Sequence, residues 1–111
     1  LVYKLMANTY TNAKVDLTTT NITTLYTCAA STTGIVKSIL VSEDSGNADT
    51  ITLTITNGSD VFSLFKTKSV AANATEELLT APLVVQGTEI LKVTAATANR
   101  LHVVASILEV T

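Results

Sequence analysis

Residues 50 to 66 read TITLTITNGSDVFSLFK. Ile51, Leu53 and Ile55 alternate with Thr50, Thr52, Thr54 and Thr56. A strand sends successive side chains to opposite faces, so this run has one apolar face and one hydroxyl face. Asn57-Gly58 follows at once, and both residues tolerate the positive φ of a tight hairpin turn. A second apolar run, Val61 to Phe65, comes next. The segment predicts a half-buried antiparallel hairpin.

The same pattern extends in both directions. Strands are expected at 13–17, 22–29 and 35–42 before the hairpin, and at 81–85, 90–95 and 101–110 after it. The run 81–85 starts beside Pro82, whose missing N–H suits an edge strand. Polar turns separate these runs: Ala30 to Gly34, Glu43 to Asp49 (EDSGNAD), Gln86 to Glu89 and Thr97 to Arg100. For residues 67–80 an irregular strand or loop is preferred over a helical turn at 72–79, although Ala, Glu and Leu favour helix. About eight short strands with a turn every 7 to 12 residues predict an all-β antiparallel sandwich of jelly-roll or Greek-key type. Residues 1–12 carry no clean period and are expected to form an N-terminal arm, with 13–111 as a single sandwich domain.

Bulk composition narrows the function classes. The chain has 111 residues and a formal net charge of −2; 14% of its residues are charged and 21 are Thr. A domain of this length buries enough surface to fold without metal or disulfide. The seven Lys and Arg form no cluster, so nucleic-acid binding lacks an electrostatic footprint. No apolar stretch reaches 18 residues, so no membrane helix is expected. The first residues lack the long apolar region of a secretory signal, and Met6 is a candidate initiator. The N-x-S/T matches at Asn21, Asn57 and Asn73 are then chance matches in a Thr-rich chain. A low-charge hydroxyl surface can be covered by a partner at small desolvation cost, a hint of assembly.

Catalytic equipment is sparse. The one cysteine, Cys28, lies in the strand-like run ITTLYTCAA and is expected to be a small buried hydrophobe. The one histidine, His102, is out of phase with Leu101 and Val103, so it should face solvent or an interface. A Ser-His-Asp grouping of His102, a serine and Asp16, Asp49 or Asp60 can be written down, but such a triad is defined by geometry. Glu76 and Glu77 are adjacent and would diverge on a strand, unlike paired catalytic carboxylates. Glu43, Asp44, Asp49 and Asn47 supply oxygens in one loop without the regular spacing of a calcium loop. No Gly-rich phosphate motif is present. No catalytic, cofactor-binding or metal-binding residue is assigned. Of Phe62 and Phe65, one is expected in the core; an exposed one would mark a binding patch.

Three segments carry a resemblance: the strand ending in LYT at Leu25 to Thr27, the run IVKSILVS at Ile35 to Ser42 before the polar loop, and PLVVQGTEIL at Pro82 to Leu91 before the last hairpin. Over residues 22 to 110 the chain resembles small virion structural proteins of tailed bacteriophages, in particular capsid decoration (cement) proteins. The resemblance implies a non-enzymatic protein on the capsid surface. It also implies homo-oligomers, often trimers, and contact with the major capsid protein or other virion proteins. A tail, neck or baseplate adaptor and a carbohydrate-binding host-recognition module are the alternatives.

Overall fold

The computed structural model describes residues 7–111. Nine strands fill most of it: β1 (Asn8–Asp16), β2 (Thr23–Thr27), β3 (Thr33–Glu43), β4 (Asp49–Asn57), β5 (Asp60–Val70), β6 (Thr75–Glu77), β7 (Leu83–Val85), β8 (Ile90–Ala95) and β9 (Leu101–Val110). They form two antiparallel sheets. The first has the order β1-β9-β3-β6, with β7 also pairing β3; the second has the order β2-β8-β4-β5. Counting β6 and β7 as one interrupted strand, this is the eight-strand jelly-roll order, two Greek keys folded onto each other. The all-β sandwich expected from the alternation is therefore the fold.

The hairpin at the centre of the sequence argument is β4–β5. Ile51 and Leu53 are fully buried, while Thr50, Thr52 and Thr54 lie on the outer face. Gly58 takes φ +62°, which lets the chain reverse between Asn57 and Asp60. Val36, Ile39 and Val41 of β3, Leu91 and Val93 of β8, and Leu101, Val103, Ala105 and Ile107 of β9 complete the core between the sheets. Cys28 is buried there too, its thiol donating to the Thr32 carbonyl at 3.3 Å.

Leu25 and Tyr26 are both buried although adjacent in sequence. The register of β2 against β8 shifts between Thr24 and Tyr26, and such a bulge lets neighbouring side chains leave the simple alternation. Tyr26 packs so closely over Gly34 that a Cβ there would lie 2.9 Å from its hydroxyl. The hydroxyl donates to Glu109 Oε2 at 2.6 Å. Burial, then that hydrogen bond, push its pKa upward.

Of three sequence expectations, two change and one is met. Residues 8–12, assigned to the arm, are part of β1, which pairs with β9 along its full length from Asn8↔Val110 to Asp16↔His102. The remainder of that expectation, residues 1–6, lies outside the described residues. The segment 67–80 follows the preferred irregular-strand reading and holds no helix: β5 runs to Val70, a turn with Asn73 at φ +57° follows, and β6 is a short strand. Third, Glu43 and Asp49 are not exposed loop residues. They end β3 and begin β4, and both are buried.

Candidate functional site

Register decides what reaches each face, because directly opposed residues in an antiparallel pair point to the same side. On the outer face of the first sheet, Asp16, His102 and Ser42 lie in one row across β1, β9 and β3. These are the residue types of a hydrolytic triad, so the hydrogen-bond geometry matters. His102 Nε2 is 3.3 Å from Asp16 Oδ1, and Nδ1 is 3.5 Å from Asp44 Oδ2. A general base must keep one ring nitrogen for the nucleophile's proton while the other is oriented by an acid. Here both nitrogens face carboxylates, and the Ser42 hydroxyl pairs with Thr75 Oγ1 at 3.1 Å instead. The row is not arranged for acyl transfer. The depression beside it, about 220 Å³ between Lys14, Asp16, His102 and Val104, is below the usual size of a ligand pocket. Asp49 and Asp60, the other acids considered for such a grouping, lie at the two ends of the β4–β5 hairpin in the opposite sheet.

The acidic loop also resolves into separate roles. The Glu43 carboxylate turns inward and accepts backbone N–H groups from Ser45 at 2.9 Å, Gly46 at 3.2 Å, Asn47 at 3.2 Å and Asn73 at 2.8 Å, plus the Ser45 hydroxyl. Asp49 accepts the Thr97 N–H at 3.1 Å. Asp44 turns outward to His102. The three acids thus diverge. Among the described residues no group of three or more His, Cys, Asp or Glu is arranged to hold a metal ion. Glu76 and Glu77 diverge as well, as adjacent strand residues must. Glu77 shares the outer face with Leu40 and accepts from the Ser38 hydroxyl and from the Ile39 N–H at 2.8 Å.

The exposed surface carries more information than the polar clusters. Phe65 packs against the core, whereas Phe62 is 57% exposed. Val61 and Leu64 accompany it on β5, an eleven-residue strand whose one hydrogen-bonded neighbour among the described residues is β4. Across the molecule, a second apolar band crosses the outer face of the first sheet, where Tyr10, Leu108, Ile35 and Val84 follow one another in register. Tyr10 is 74% exposed and Val84 51%. Among the described residues the exposed aromatics are Tyr10 and Phe62; they belong to different sheets and make no shared stacking platform for a sugar. The outer face of the second sheet is paved with Thr24, Thr27, Thr50, Thr52, Thr54 and Thr94 around Lys92. Sequence reasoning found the hairpin phenylalanines but missed the Tyr10–Val84 band, because its members come from four strands far apart in the chain.

No protein-family model and no curated protein sequence matches this chain. Among solved structures it is similar to the crystal structure of a pentameric capsid protein isolated from metagenomic phage sequences, with 16% identity and a TM-score of 0.42. The match covers 89% of this chain and 60% of that one, so the chain spans about three fifths of its neighbour's length.

Proposed function

We propose that this chain is a non-enzymatic virion structural protein that decorates or cements the capsid surface of a tailed phage through protein–protein contacts. The observation that carries the reading is strand β5. It is a long sheet edge bearing Val61, Phe62 and Leu64 toward solvent. An apolar edge of this length invites pairing, and a stable monomer ordinarily blunts it with charge, proline or a covering loop. Only Lys66 and Lys68 follow the apolar part, and two register shifts bend it. An edge of this kind suits a protein that works in contact with a partner. The polar clusters support the same reading, because Glu43, Asp49 and Glu77 spend their carboxylates on their own backbone. The resemblance over residues 22 to 110 supplies the virion setting, the major capsid protein as partner and the capsid surface as location.

The test is where the protein sits in an intact particle. Quantitative mass spectrometry of purified virions, with electron microscopy of labelled particles, is expected to find hundreds of copies on the head, an order of magnitude set by the number of capsid subunits available to a surface protein. A handful of copies confined to the tail or baseplate would overturn the capsid reading and leave an adaptor role. The resemblance implies trimers, whereas the surface chemistry of this chain favours a two-fold contact.

A further inference from the structure

We infer that the outer face of the β1-β9-β3-β6/β7 sheet is the contact between two copies of this chain, packed face to face about a two-fold axis parallel to the strands. This deepens the assembly reading above by naming the surface and its occupant.

Strand register arranges the side chains of this face in rows. One row is Tyr10, Leu108, Ile35 and Val84. Another, two pairs along the strands, is Lys14, Val104, Leu40 and Glu77. Between them lies the polar row Asn12, Ser106 and Ser38, with the exposed bulge residue Lys37 of β3 beside it. The second row is antisymmetric: a cation on β1, two apolar residues at the centre, an anion on β6. Val104 is 37% and Leu40 40% exposed. Glu77 is held in place by Ser38 and the Ile39 N–H, and hydrogen bonds outweigh burial to keep its pKa below the usual carboxylate range.

A two-fold axis in the face, parallel to the strands and between β9 and β3, keeps every row at its own height and reverses it end for end. Lys14 then lies over Glu77 of the second copy and Glu77 over its Lys14. Val104 lies over Leu40, Tyr10 over Val84, and Leu108 over Ile35. Apolar meets apolar and opposite charges meet twice, which is the self-complementarity an isologous contact requires. An axis across the strands would instead lay the apolar row on the Asp16–His102 row. Stacked sheets pack about 10 Å apart with strand directions within about 30°. Four strands at about 4.8 Å spacing and about ten residues of about 3.3 Å each give a face of roughly 600 Å² in plan. That is of the same order as the ~800 Å² per partner of a standard stable contact.

The experiment is analytical ultracentrifugation of the purified full chain, without phage, as a function of concentration. A dimer is expected. Tyr10→Arg and Val84→Arg, both at well-exposed positions that leave the fold intact by circular dichroism, should each weaken it by about tenfold or more. Lys14→Glu should weaken it at low salt and less at high salt, since the charge contact is screened. The double variant Tyr10→Cys/Val84→Cys should be joined into a covalent dimer by a short bismaleimide that spans facing sheets about 10 Å apart, a gap too wide for a disulfide, while each single variant should not. A folded monomer at 100-fold higher concentration than the assay limit, a trimer, or a dimer indifferent to Tyr10→Arg and Val84→Arg would each overturn the inference. So would protection of this face from labelling only on the particle, which would assign it to another virion protein. A dimer in solution from a protein absent from the head would sink the capsid reading alone.

Discussion

The side-chain carboxylate of Glu43 accepts the backbone N–H of Asn73 at 2.8 Å, joining two loops that lie thirty residues apart in the chain. The same carboxylate holds the N–H groups of Ser45, Gly46 and Asn47. One buried anion therefore shapes the turn between β3 and β4 and pins it to the turn between β5 and β6.

Glu43→Gln should loosen both turns, because an amide offers a single uncharged acceptor oxygen where the carboxylate has two. Hydrogen exchange at the Gly46, Asn47 and Asn73 amides should accelerate by about tenfold, with little change in the distant β1–β9 ladder. Unchanged exchange at those three amides would remove Glu43 from this role.

The same residue gives the fold an acid limb. Burial works to raise the Glu43 pKa, but hydrogen bonds from Ser45, Asn73 and Asn47 outweigh it and bring it down from 4.5 to about 2. A group whose pKa is depressed by folding stabilises the native state above its unfolded value. That contribution should be complete above about pH 4.5 and disappear as pH falls toward 2. Glu77 is shifted in the same direction and adds to the same limb. Melting temperature measured between pH 6 and pH 2 should fall in the wild type, and the slope should be shallower in Glu43→Gln.

Gly34 is constrained by Tyr26. A Cβ at this position would meet the Tyr26 hydroxyl at 2.9 Å and ring carbon Cε2 at 3.0 Å. Gly34→Ala should therefore displace the ring and its hydrogen bond to Glu109, at a cost of about 1–3 kcal/mol. Tyr26→Phe relieves the nearer contact, so the double variant should lose less than the sum of the two single changes in urea unfolding. Additive losses would show that the ring is not the obstacle.

Thr67 sits at φ +49° inside β5, where its N–H donates to Thr52 Oγ1 at 3.1 Å. A β-branched residue is strained in this region, by about 1–2 kcal/mol. Thr67→Gly keeps the N–H and removes the strain, and should raise the urea midpoint by an amount worth about 1 kcal/mol. A lower midpoint would mean that the Thr67 hydroxyl, which donates to the Lys66 carbonyl at 2.8 Å, matters more than the strain.

The β5 edge should separate function from stability. Phe62→Ser with Leu64→Ser removes exposed apolar area and should change stability by only about 0.5 kcal/mol, while capsid occupancy falls by about tenfold or more. His102→Ala is the control at the other polar cluster. Its carboxylate contacts are exposed, so stability should move by less than about 1 kcal/mol. Occupancy that survives the β5 change would shift attention to another surface.

What the sequence alone determined is the class of fold and the inward side of most strands. Ile51, Leu53, Leu91, Val93, Leu101, Val103, Ala105 and Ile107 face the core as their alternation demands, because period-two burial is a local property of an extended chain. The position of His102 on the outer face followed from the same alternation. Tertiary structure alone decided the rest. Asn8 to Asn12 have no apolar period of their own and become strand through pairing with β9. Glu43 looks like a solvated loop acid until the Asn73 turn closes over it. The Tyr10–Leu108–Ile35–Val84 band exists only because strands distant in the chain become neighbours in the sheet. Its four members are ordinary isolated surface residues in sequence, and register alone turns them into a surface.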